Sequence, residues 1–321
     1  MSEDLNATIN ETQTSNCPSN PTAENIGKFF AYCLIFLVSL AGNTVIGLII
    51  YKTKTMRKPI NFLIVNMAMS DLLFAIFIIP RDIQLLFIDS WLIGGSLGQA
   101  LCKLVYLLLN VSAAVSIQSL VLIAVDRFGA VVYPLRSPLI SSKLCPFFIL
   151  ATWIVAMAVG SPGLASVKLV EFPRGFVCLL HWKDVFRESS ILENHYLTMA
   201  VVFAIIPLVL IAVLHIVIYI KLKSQKSPGE QSANTEQQRQ QRERNVLKMA
   251  IAIVLGFALC WLPYVISAFL VAFGKHVISS CIFLYVFTVA NLMVRASCAI
   301  NPCICFVFSQ NYRKGLQTLL R

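Results

Sequence analysis

Long apolar stretches, separated by short polar breaks, recur along this chain from Phe29 to Phe308. An apolar run of about 20 residues is long enough for one helix to cross the hydrocarbon core of a membrane. Seven runs of this kind lie near residues 27–51, 60–87, 99–132, 146–165, 196–221, 245–272 and 280–307. They lack the strict alternation of apolar and polar positions that marks the strands of a membrane β-barrel. The pattern therefore predicts an all-α fold, a bundle of seven transmembrane helices.

Polar segments flank and interrupt the predicted bundle. The predicted parts are a polar N-terminal tail (1–26), the seven-helix bundle (27–307), a Gln- and Ser-rich loop within it (224–241) and a short C-terminal segment (308–321). The loop is poor in apolar residues, so we expect it to be flexible. In the last segment Phe308, Tyr312 and Leu316 recur at every fourth position, which predicts a short amphipathic helix on the membrane surface.

The composition excludes a soluble enzyme. Of the 321 residues, 58% are hydrophobic and only 13% are charged, whereas a soluble domain carries about a quarter of its residues as charges. The four His show no metal-ligand spacing, and no nucleophile motif is present. A channel or transporter is the alternative from another class. The lack of an internal repeat and the few charges inside the spans, mainly Asp71 and Arg295, weaken that alternative.

The net charge of +11 is unevenly distributed. Lys and Arg concentrate in the first, third and fifth connections and in the C-terminal segment, while acidic residues offset them in the other connections. The concentrated cations are Lys52, Lys54, Arg57, Lys58, Arg136, Lys143, Lys221, Lys223, Lys226, Arg239, Arg242, Arg244, Lys248, Arg313, Lys314 and Arg321. By the positive-inside rule, the N-terminus lies outside and the C-terminus inside. The basic surplus thus reflects a multi-pass topology in a lipid bilayer rather than binding to nucleic acid.

Several residues on the predicted outer side suggest covalent modification. Asn6 and Asn10 begin Asn-x-Thr triplets, which are acceptors for glycosylation. Four cysteines also lie on this side: Cys17, Cys102, Cys178 and Cys281. Cys102 opens the third helix and Cys178 lies in the loop before the fifth, so we expect a disulfide that ties the loop over the bundle. Cys17 and Cys281 form either a second bridge or two free thiols, since connectivity cannot be deduced from sequence.

Residues inside the spans carry a family resemblance. In chain order they are Gly42-Asn43, Asn66 to Asp71, Asp126-Arg127-Phe128, Trp153, Pro207, Phe257 to Pro263 and Asn301-Pro302. This series, each member in its proper helix, resembles the rhodopsin-like G-protein-coupled receptors from about Asn43 to Leu316. The resemblance implies a receptor in the plasma membrane that binds an extracellular ligand and activates a heterotrimeric G protein. It also implies an allosteric sodium ion, and no other cofactor is expected.

The resemblance assigns roles to two groups of buried residues. The sodium ligands would be the oxygens of Asp71, Ser116, Ser297 and Asn301, because hard cations favour oxygen. The alternative is a protonated Asp71 that is hydrogen-bonded within the bundle. The residues of the activation switch would be Asp126, Arg127, Glu243, Trp261, Pro263, Phe257, Ile117, Pro207, Asn301 and Pro302. In the family, the Arg of the triplet pairs with an acid such as Glu243 at rest, and an outward movement of helix six frees it.

Two positions depart from the family pattern. His215 stands near the inner end of helix five and Cys305 stands in helix seven, where the family usually has tyrosines that meet through water. The loss of both weakens the active state, transfers its support to other contacts, or makes His215 sensitive to protonation. We expect His215 to be neutral and hydrogen-bonded.

The ligand is predicted to be a peptide. Arg295 lies seven residues before Pro302, where retinal binding would need a Lys, and Leu109 stands where receptors for biogenic amines have an Asp. The loop from Ser166 to Arg187 has the alternation and the central turn of a β-hairpin, as in peptide receptors. A non-peptide small molecule is the alternative within the family. The candidate ligand-binding residues are Asp82, Leu109, Glu193, Trp261, Tyr264, Asn291 and Arg295.

Arg295 needs an anion, because a guanidinium within a membrane span is costly. Helix rise places Arg295 roughly 9 Å outside Asn301 and Asp82 roughly 16 Å outside Asp71, so the two side chains come within reach if Asp71 and Asn301 share a level. One hypothesis is an internal Arg295–Asp82 pair that stabilises the bundle. The other is that Arg295 receives an acidic group of the ligand, which leaves Asp82 to Arg81 or to solvent.

Overall fold

The computed structural model describes residues 21–88, 90–133, 138–173, 175–180, 201–224, 233–273 and 281–320. Its α-helices are α1 Pro21–Lys52, α2 Pro59–Phe77, α3 Ile79–Leu85, α4 Gly95–Val132, α5 Cys145–Ser166, α6 Ile206–Ser224, α7 Ala233–Phe273, α8 Cys281–Phe308 and α9 Gln310–Leu320. A short 3-10 helix covers Lys54–Met56, and a π-helical turn at Val201–Ile205 precedes α6.

Seven helical segments are long and apolar enough to cross a membrane, which confirms the predicted fold class. We call them spans one to seven. Span one is in α1, span two combines α2 and α3, and spans three to seven are in α4, α5, α6, α7 and α8. Large apolar side chains such as Leu34, Phe147 and Leu259 are exposed on the outside of the bundle, where lipid replaces water as their solvent.

Span two differs from the single helix expected at residues 60–87. Helix α2 ends at Phe77, and α3 begins at Ile79 after one intervening residue. Pro80 at the start of α3 has no backbone N–H and its ring crowds the preceding turn, so the backbone ladder is interrupted there. The interruption sets the direction of α3, which carries Asp82 to the outer end of the bundle.

The second half of the segment 224–241 is helical, so the prediction of a flexible loop is wrong there. Helix α7 already begins at Ala233, so Glu243 lies ten residues inside the helix and does not begin it. The segment from Ala233 is rich in Gln, Arg and Glu, which are good helix formers. Because it continues directly into the apolar part of span six, no new helix nucleus is needed. Low apolar content alone could not distinguish an exposed helix from a loop.

A β-hairpin covers the outer end of the bundle, as the sequence predicts. Strand β1 Val167–Phe172 pairs antiparallel with strand β2 Gly175–Leu180, from Val167 opposite Leu180 to Phe172 opposite Gly175. Gly175 has a φ of +129°, a conformation that side chains with a Cβ rarely adopt. The predicted disulfide between Cys102 and Cys178 is confirmed, with Cα atoms 5.8 Å apart. It fixes β2 to the outer end of span three.

The C-terminal helix α9 docks against the inner ends of spans one and two. Tyr312 is 1% exposed, and its hydroxyl donates a hydrogen bond of 3.2 Å to Asn61 Oδ1. Burial holds the pKa of Tyr312 well above that of an ordinary phenol, so the hydroxyl stays protonated and can donate. Phe308 is not part of this helix as expected: it ends α8 and is largely exposed. Ser309 separates the two helices and allows the chain to turn along the membrane surface.

Candidate functional site

A buried ion pair joins span two to span seven in the outer half of the bundle. Arg295 Nε donates to Asp82 Oδ2 at 2.9 Å, and each side chain is less than 10% exposed. Arg295 Nη1 also donates to Asn291 Oδ1 at 2.9 Å, one helical turn away on α8. The structure therefore has the internal pair of the first hypothesis. Helix rise, together with a shared level for Asp71 and Asn301, had predicted that the two side chains come within reach of each other.

Arg81 contacts the same carboxylate at the same time, whereas the sequence offered Arg81 as a partner of Asp82 only if Arg295 binds the ligand. Its Nη1 lies 3.5 Å from Asp82 Oδ1, and its guanidinium lies 5.2 Å from the ring centroid of Trp91. Trp91 is held in turn by the hairpin, because its backbone N–H donates to the carbonyl of Phe176 at 2.6 Å. A continuous set of contacts thus leads from β2 to Asp82 and on to span seven.

Only some of the other candidate ligand-binding residues lie near the Asp82–Arg295 pair. Tyr264 stacks on Phe287 with ring centroids 6.1 Å apart and lies near enough to Arg295 for an electrostatic interaction. Tyr32 of span one also lies near enough to Arg295 for an electrostatic interaction, and it was missed from the sequence because a lone Tyr in an apolar span gives no signal. Leu109 packs in an apolar cluster with residues of spans one, two and seven. Glu193 lies outside the described residues.

A polar cluster around Asp71 lies in the middle of the bundle. Asn301 Nδ2 donates to Asp71 Oδ2 at 2.8 Å, and the Ser116 hydroxyl donates to Oδ1 at 3.4 Å. These bonds join spans two, three and seven. Ser297 departs from the expected set, because its hydroxyl donates to the carbonyl of Val294 in its own helix at 2.7 Å.

A small cavity adjoins this cluster. It is lined by Asp71, Phe74, Ser112, Ala113, Ser116, Phe257, Trp261, Ser297, Cys298 and Asn301 and has room for about one water molecule. One carboxylate, three hydroxyls and one amide therefore line a space that holds about one water molecule or one small ion. Such a set of oxygens fits a small hard cation.

Two aromatic rings line that cavity. Phe257 and Trp261 lie one turn apart on α7 and stack with ring centroids 5.7 Å apart. Phe257 packs in the central apolar core together with Ile117 of span three. Pro263 lies within α7 near the outer end of this pair, and Pro207 is the second residue of α6, just after the π-helical turn. The stack lies between the ligand candidates and the inner half of span six.

The inner end of span three carries a second ion pair. Arg127 donates to Asp126 Oδ2 through Nε at 3.1 Å and through Nη2 at 2.5 Å. Both side chains are mostly buried, at 17% and 8% exposure. The side chain of Glu243 lies outside the described residues, so its pairing with Arg127 stays a prediction.

His215 is hydrogen-bonded, as expected, but through one ring nitrogen only. Its Nδ1 lies 2.8 Å from the carbonyl of Ile211, while Nε2 is buried and finds no hydrogen-bond partner among the described residues. Cys305, the other departure, is fully buried in the central core, in the same cluster as Tyr312. Both positions are thus packed interior sites on spans five and seven.

A hydrogen-bond network that sequence reasoning did not assign connects spans two, three and four. Trp153 Nε1 donates to Asn66 Oδ1 at 2.8 Å. The Asn66 amide donates to Ser119 Oγ at 2.9 Å and to Thr152 Oγ1 at 3.2 Å. Asn66 and Trp153 both belong to the residues that carry the family resemblance. Their hydrogen bond could not be predicted from them, because it depends on the crossing of two helices that are far apart in sequence.

Comparison with known proteins identifies the class of molecule. Residues 42–304 match the family described as 7 transmembrane receptor (rhodopsin family), which consists of signalling receptors rather than enzymes. A QRFP-like peptide receptor of Branchiostoma floridae is 30% identical over 310 residues, or 94% of this chain and 79% of the relative. Neuropeptide FF receptor 1 of Rattus norvegicus is 29% identical, covering 91% of this chain and 69% of the relative. Neuropeptide Y receptor type 1 of Xenopus laevis is 29% identical, with 89% and 78% covered.

Proposed function

Because this chain belongs to the rhodopsin family of seven-transmembrane receptors, we propose that it binds an extracellular peptide and activates a heterotrimeric G protein. It is a multi-pass membrane protein with seven spans. The proposed orientation in the plasma membrane has the N-terminus and the hairpin outside and α9 inside, as the distribution of Lys and Arg favours. Asn6 and Asn10 would then be exposed to glycosylation.

The observation that carries the peptide proposal is the β-hairpin at the end of the bundle that also holds the buried Asp82–Arg295 pair. The disulfide from Cys102 to Cys178 holds β2 at the edge of the bundle. Asp82 and Arg295 pair with each other, and an acidic group of a ligand would compete with Asp82 for the guanidinium of Arg295. Polar groups fixed in a largely apolar site orient a ligand and give specificity. The relatives named above, a peptide receptor and two neuropeptide receptors, agree with this proposal.

The contacts support a route from ligand to G protein. A ligand seated near Arg295 and Tyr264 would press inward on Trp261, which stacks on Phe257. Movement of this stack displaces the inner half of span six, because both rings belong to α7. Arg127 at the inner end of span three would then exchange its resting contacts for the G protein. Such a switch needs two packings of similar free energy, with the ligand favouring one of them.

We include an allosteric sodium ion in this proposal. Asp71, Ser116 and Asn301 would hold it, with Ser297 or a water completing the set after the Ser297 hydroxyl rotates. The ion would link spans two, three and seven through one site and thereby favour the closed packing of the bundle. Its charge also compensates the buried carboxylate of Asp71.

A second disulfide between Cys17 and Cys281 is also proposed. Cys281 begins α8 and is disulfide-bonded, while Cys17 lies outside the described residues. Peptide mapping of the protein without reduction should recover a Cys17–Cys281 peptide beside the Cys102–Cys178 peptide. Recovery of Cys17 as a free thiol would contradict the second bridge.

The experiment that tests the function is a peptide-library screen that reads nucleotide exchange on a set of purified G proteins in membranes containing the receptor. At least one peptide should raise exchange in a saturable way, and Arg127→Ala should abolish that response. If only non-peptide compounds raise exchange, the receptor proposal holds and the peptide ligand is wrong. Ligand-dependent ion flux in vesicles without any nucleotide exchange would contradict the receptor mechanism itself.

A further inference from the structure

Six exposed basic side chains at the end of the bundle that carries α9 form one surface, which we call the inner basic patch. Its members are Lys52, Lys54, Arg57, Lys58, Arg313 and Lys314. The first four lie at the end of α1 and in the connection to α2, and the other two lie on α9. Neither segment, 51–61 or 310–320, contains an acidic residue. The patch is therefore uniformly positive.

The fold brings the two halves of the patch together although they are far apart in sequence. Tyr312 is bonded to Asn61 at the start of span two, as described above. Gly315 packs directly on Ile49 near the end of span one, and a Cβ at position 315 would overlap the Ile49 side chain. Helix α9 is thus seated against the inner ends of spans one and two, which places its cations beside those of the first connection.

The first connection is held in a defined conformation. Arg57 Nη2 donates to the carbonyl of Tyr51 at 2.6 Å, and its guanidinium lies 5.9 Å from the centroid of the Tyr51 ring. The Asn61 amide donates to the carbonyl of Met56 at 2.6 Å, and Met56 is buried. Cations that are already positioned lose less conformational entropy when they bind an anion. The patch therefore has the preorganisation of a binding site.

The protein does not neutralise this charge within the described chain. Some other described cations form ion pairs: Lys28 with Glu24, Arg81 and Arg295 with Asp82, and Arg127 with Asp126. No member of the inner basic patch takes part in an ion pair with another described residue. Since clustered like charges repel one another, an external anion would stabilise this end of the molecule.

We propose that the inner basic patch binds the headgroup of a polyanionic membrane lipid of the phosphoinositide class. Each phosphate monoester of such a headgroup carries between one and two negative charges and three acceptor oxygens, which suit several Lys and Arg side chains at once. The patch lies at the end of spans one and two, at the level of lipid headgroups. Leu320 at the end of α9 is exposed, so an acyl chain in the apolar phase can contact it.

The proposal rests on the orientation proposed above, because phosphoinositides belong to the cytoplasmic leaflet. Nanodiscs expose both leaflets, so binding measured in them does not depend on orientation. Orientation is tested separately, by the accessibility of an epitope added after Arg321 in intact cells. The lipid-binding result and the orientation result can therefore be interpreted independently of each other.

The test measures the affinity of a phosphatidylinositol bisphosphate for the purified full-length receptor in phosphatidylcholine nanodiscs. The triple variant Lys54→Gln/Arg57→Gln/Lys314→Gln should lose roughly fivefold in affinity for each cation removed, or on the order of a hundredfold in total. The matched control, Lys221→Gln/Lys223→Gln/Lys248→Gln, removes three inner cations elsewhere and should stay within about twofold. Equal losses in both variants would mean a general effect of the basic surface and would overturn the proposal.

A second variant tests whether α9 and the first connection form the site together, and it removes no charge. Gly315→Leu should push α9 away from Ile49 and weaken lipid binding by about tenfold, while the thermal unfolding transition shows that the bundle still folds. Unchanged binding would mean that α9 and the first connection do not act together. Phosphatidylserine at equal total negative charge and soluble inositol phosphate should both bind more weakly. Equal affinity for either would overturn the assignment to a phosphoinositide headgroup.

Discussion

Asn301 donates its side-chain amide to Asp71 across 2.8 Å and thereby joins span seven to span two at the centre of the bundle. Ser116 of span three reaches the other oxygen of the same carboxylate. Three helices that must move relative to one another during signalling therefore meet at one ionisable group. An ion bound there can favour one arrangement of the three, as an allosteric effector does.

The first prediction concerns sodium. Replacement of choline chloride by sodium chloride at equal ionic strength should lower agonist affinity and raise the temperature of thermal unfolding in the wild-type receptor. Asp71→Asn should abolish both responses, because the neutral amide removes the charge that holds the cation. Radioligand competition and thermal unfolding in the two salts provide the measurement.

Ser112→Ala is the matched control for this experiment. Ser112 lines the same cavity, but its hydroxyl donates to the carbonyl of Ser70 rather than to Asp71. This variant should keep most of the sodium response. A full sodium response in Asp71→Asn would mean that the ion acts at another site.

The second prediction is that replacing Asp82 destabilises the fold more than replacing Arg295, although the two residues form one ion pair. Asp82→Asn withdraws one carboxylate from two guanidiniums and should destabilise the fold by about 3–5 kcal/mol, the usual cost of breaking a buried pair. Arg295→Met should cost less, about 1–3 kcal/mol, because Arg81 stays 3.5 Å from Asp82. Thermal or denaturant unfolding of the purified variants measures both.

A charge swap is a further check on the same pair. Arg295→Asp with Asp82→Arg should restore folding only in part, because the new Arg would lie next to Arg81. If Arg295→Met folds normally and loses only its response to acidic ligands, Arg295 is chiefly a ligand contact. That result would favour the second hypothesis over the structural one.

Helix rise placed Asp82 and Arg295 within reach of each other, given a shared level for Asp71 and Asn301, but it left open whether Arg295 pairs internally or contacts the ligand. The sequence was insufficient for the contact of Arg81 with Trp91, since the position of Trp91 depends on a backbone bond to Phe176 in the hairpin. The same limit applies to Tyr312 and Asn61, which meet only after α9 has turned along the membrane. Contacts between segments whose relative placement depends on a loop leave no pattern in a single sequence.

Local composition misled in one place and was informative in another. The segment from Ala233 looked like a loop because it lacks apolar residues, yet its Gln, Arg and Glu continue span six as a helix. The alternation around Pro173 and Gly175 correctly indicated a hairpin, because strand pairing and a turn glycine have local signatures. The motifs likewise indicated the Asp71 cluster, but not the bond that turns Ser297 back to Val294.

The third prediction concerns coupling to the G protein. Arg127→Ala should abolish nucleotide exchange and leave surface expression and ligand binding intact, because helices of this length separate the two ends by roughly 30 Å. Glu243→Ala should raise basal exchange if this residue pairs with Arg127 at rest. Exchange assays in membranes, normalised to surface expression, measure both. Normal exchange by Arg127→Ala would contradict the transducer mechanism, and an unchanged basal level in Glu243→Ala would exclude the resting pair.

The fourth prediction concerns the network of Asn66. Trp153→Phe keeps most of the ring but removes the N–H that donates to Asn66 Oδ1. The buried acceptor is then unsatisfied, which should destabilise the fold by about 1–3 kcal/mol. Addition of Asn66→Leu to this variant should cost less than the sum of the two single changes. Strict additivity of the unfolding free energies would mean that the two residues do not interact.

The last prediction uses the half-satisfied histidine. His215 is 9% exposed, and its Nε2 has no hydrogen-bond partner among the described residues. His215→Phe removes this unpaired group from the interior and retains a ring of similar width. The bond from Nδ1 to the carbonyl of Ile211 is lost, but that carbonyl also accepts the backbone N–H of the next helical turn. We therefore expect the variant to be more stable by about 1 kcal/mol, measured as a higher thermal unfolding temperature.

Leu214→Ala, at the neighbouring position of α6, is the control for this change. Leu214 packs against the central core, so its truncation should lower stability and show that the assay detects local packing. A loss of stability in His215→Phe would mean that Nε2 is satisfied by an ordered water or by a residue outside the described chain. In that case His215 is part of a polar link on span five and not a simple replacement for the missing tyrosine.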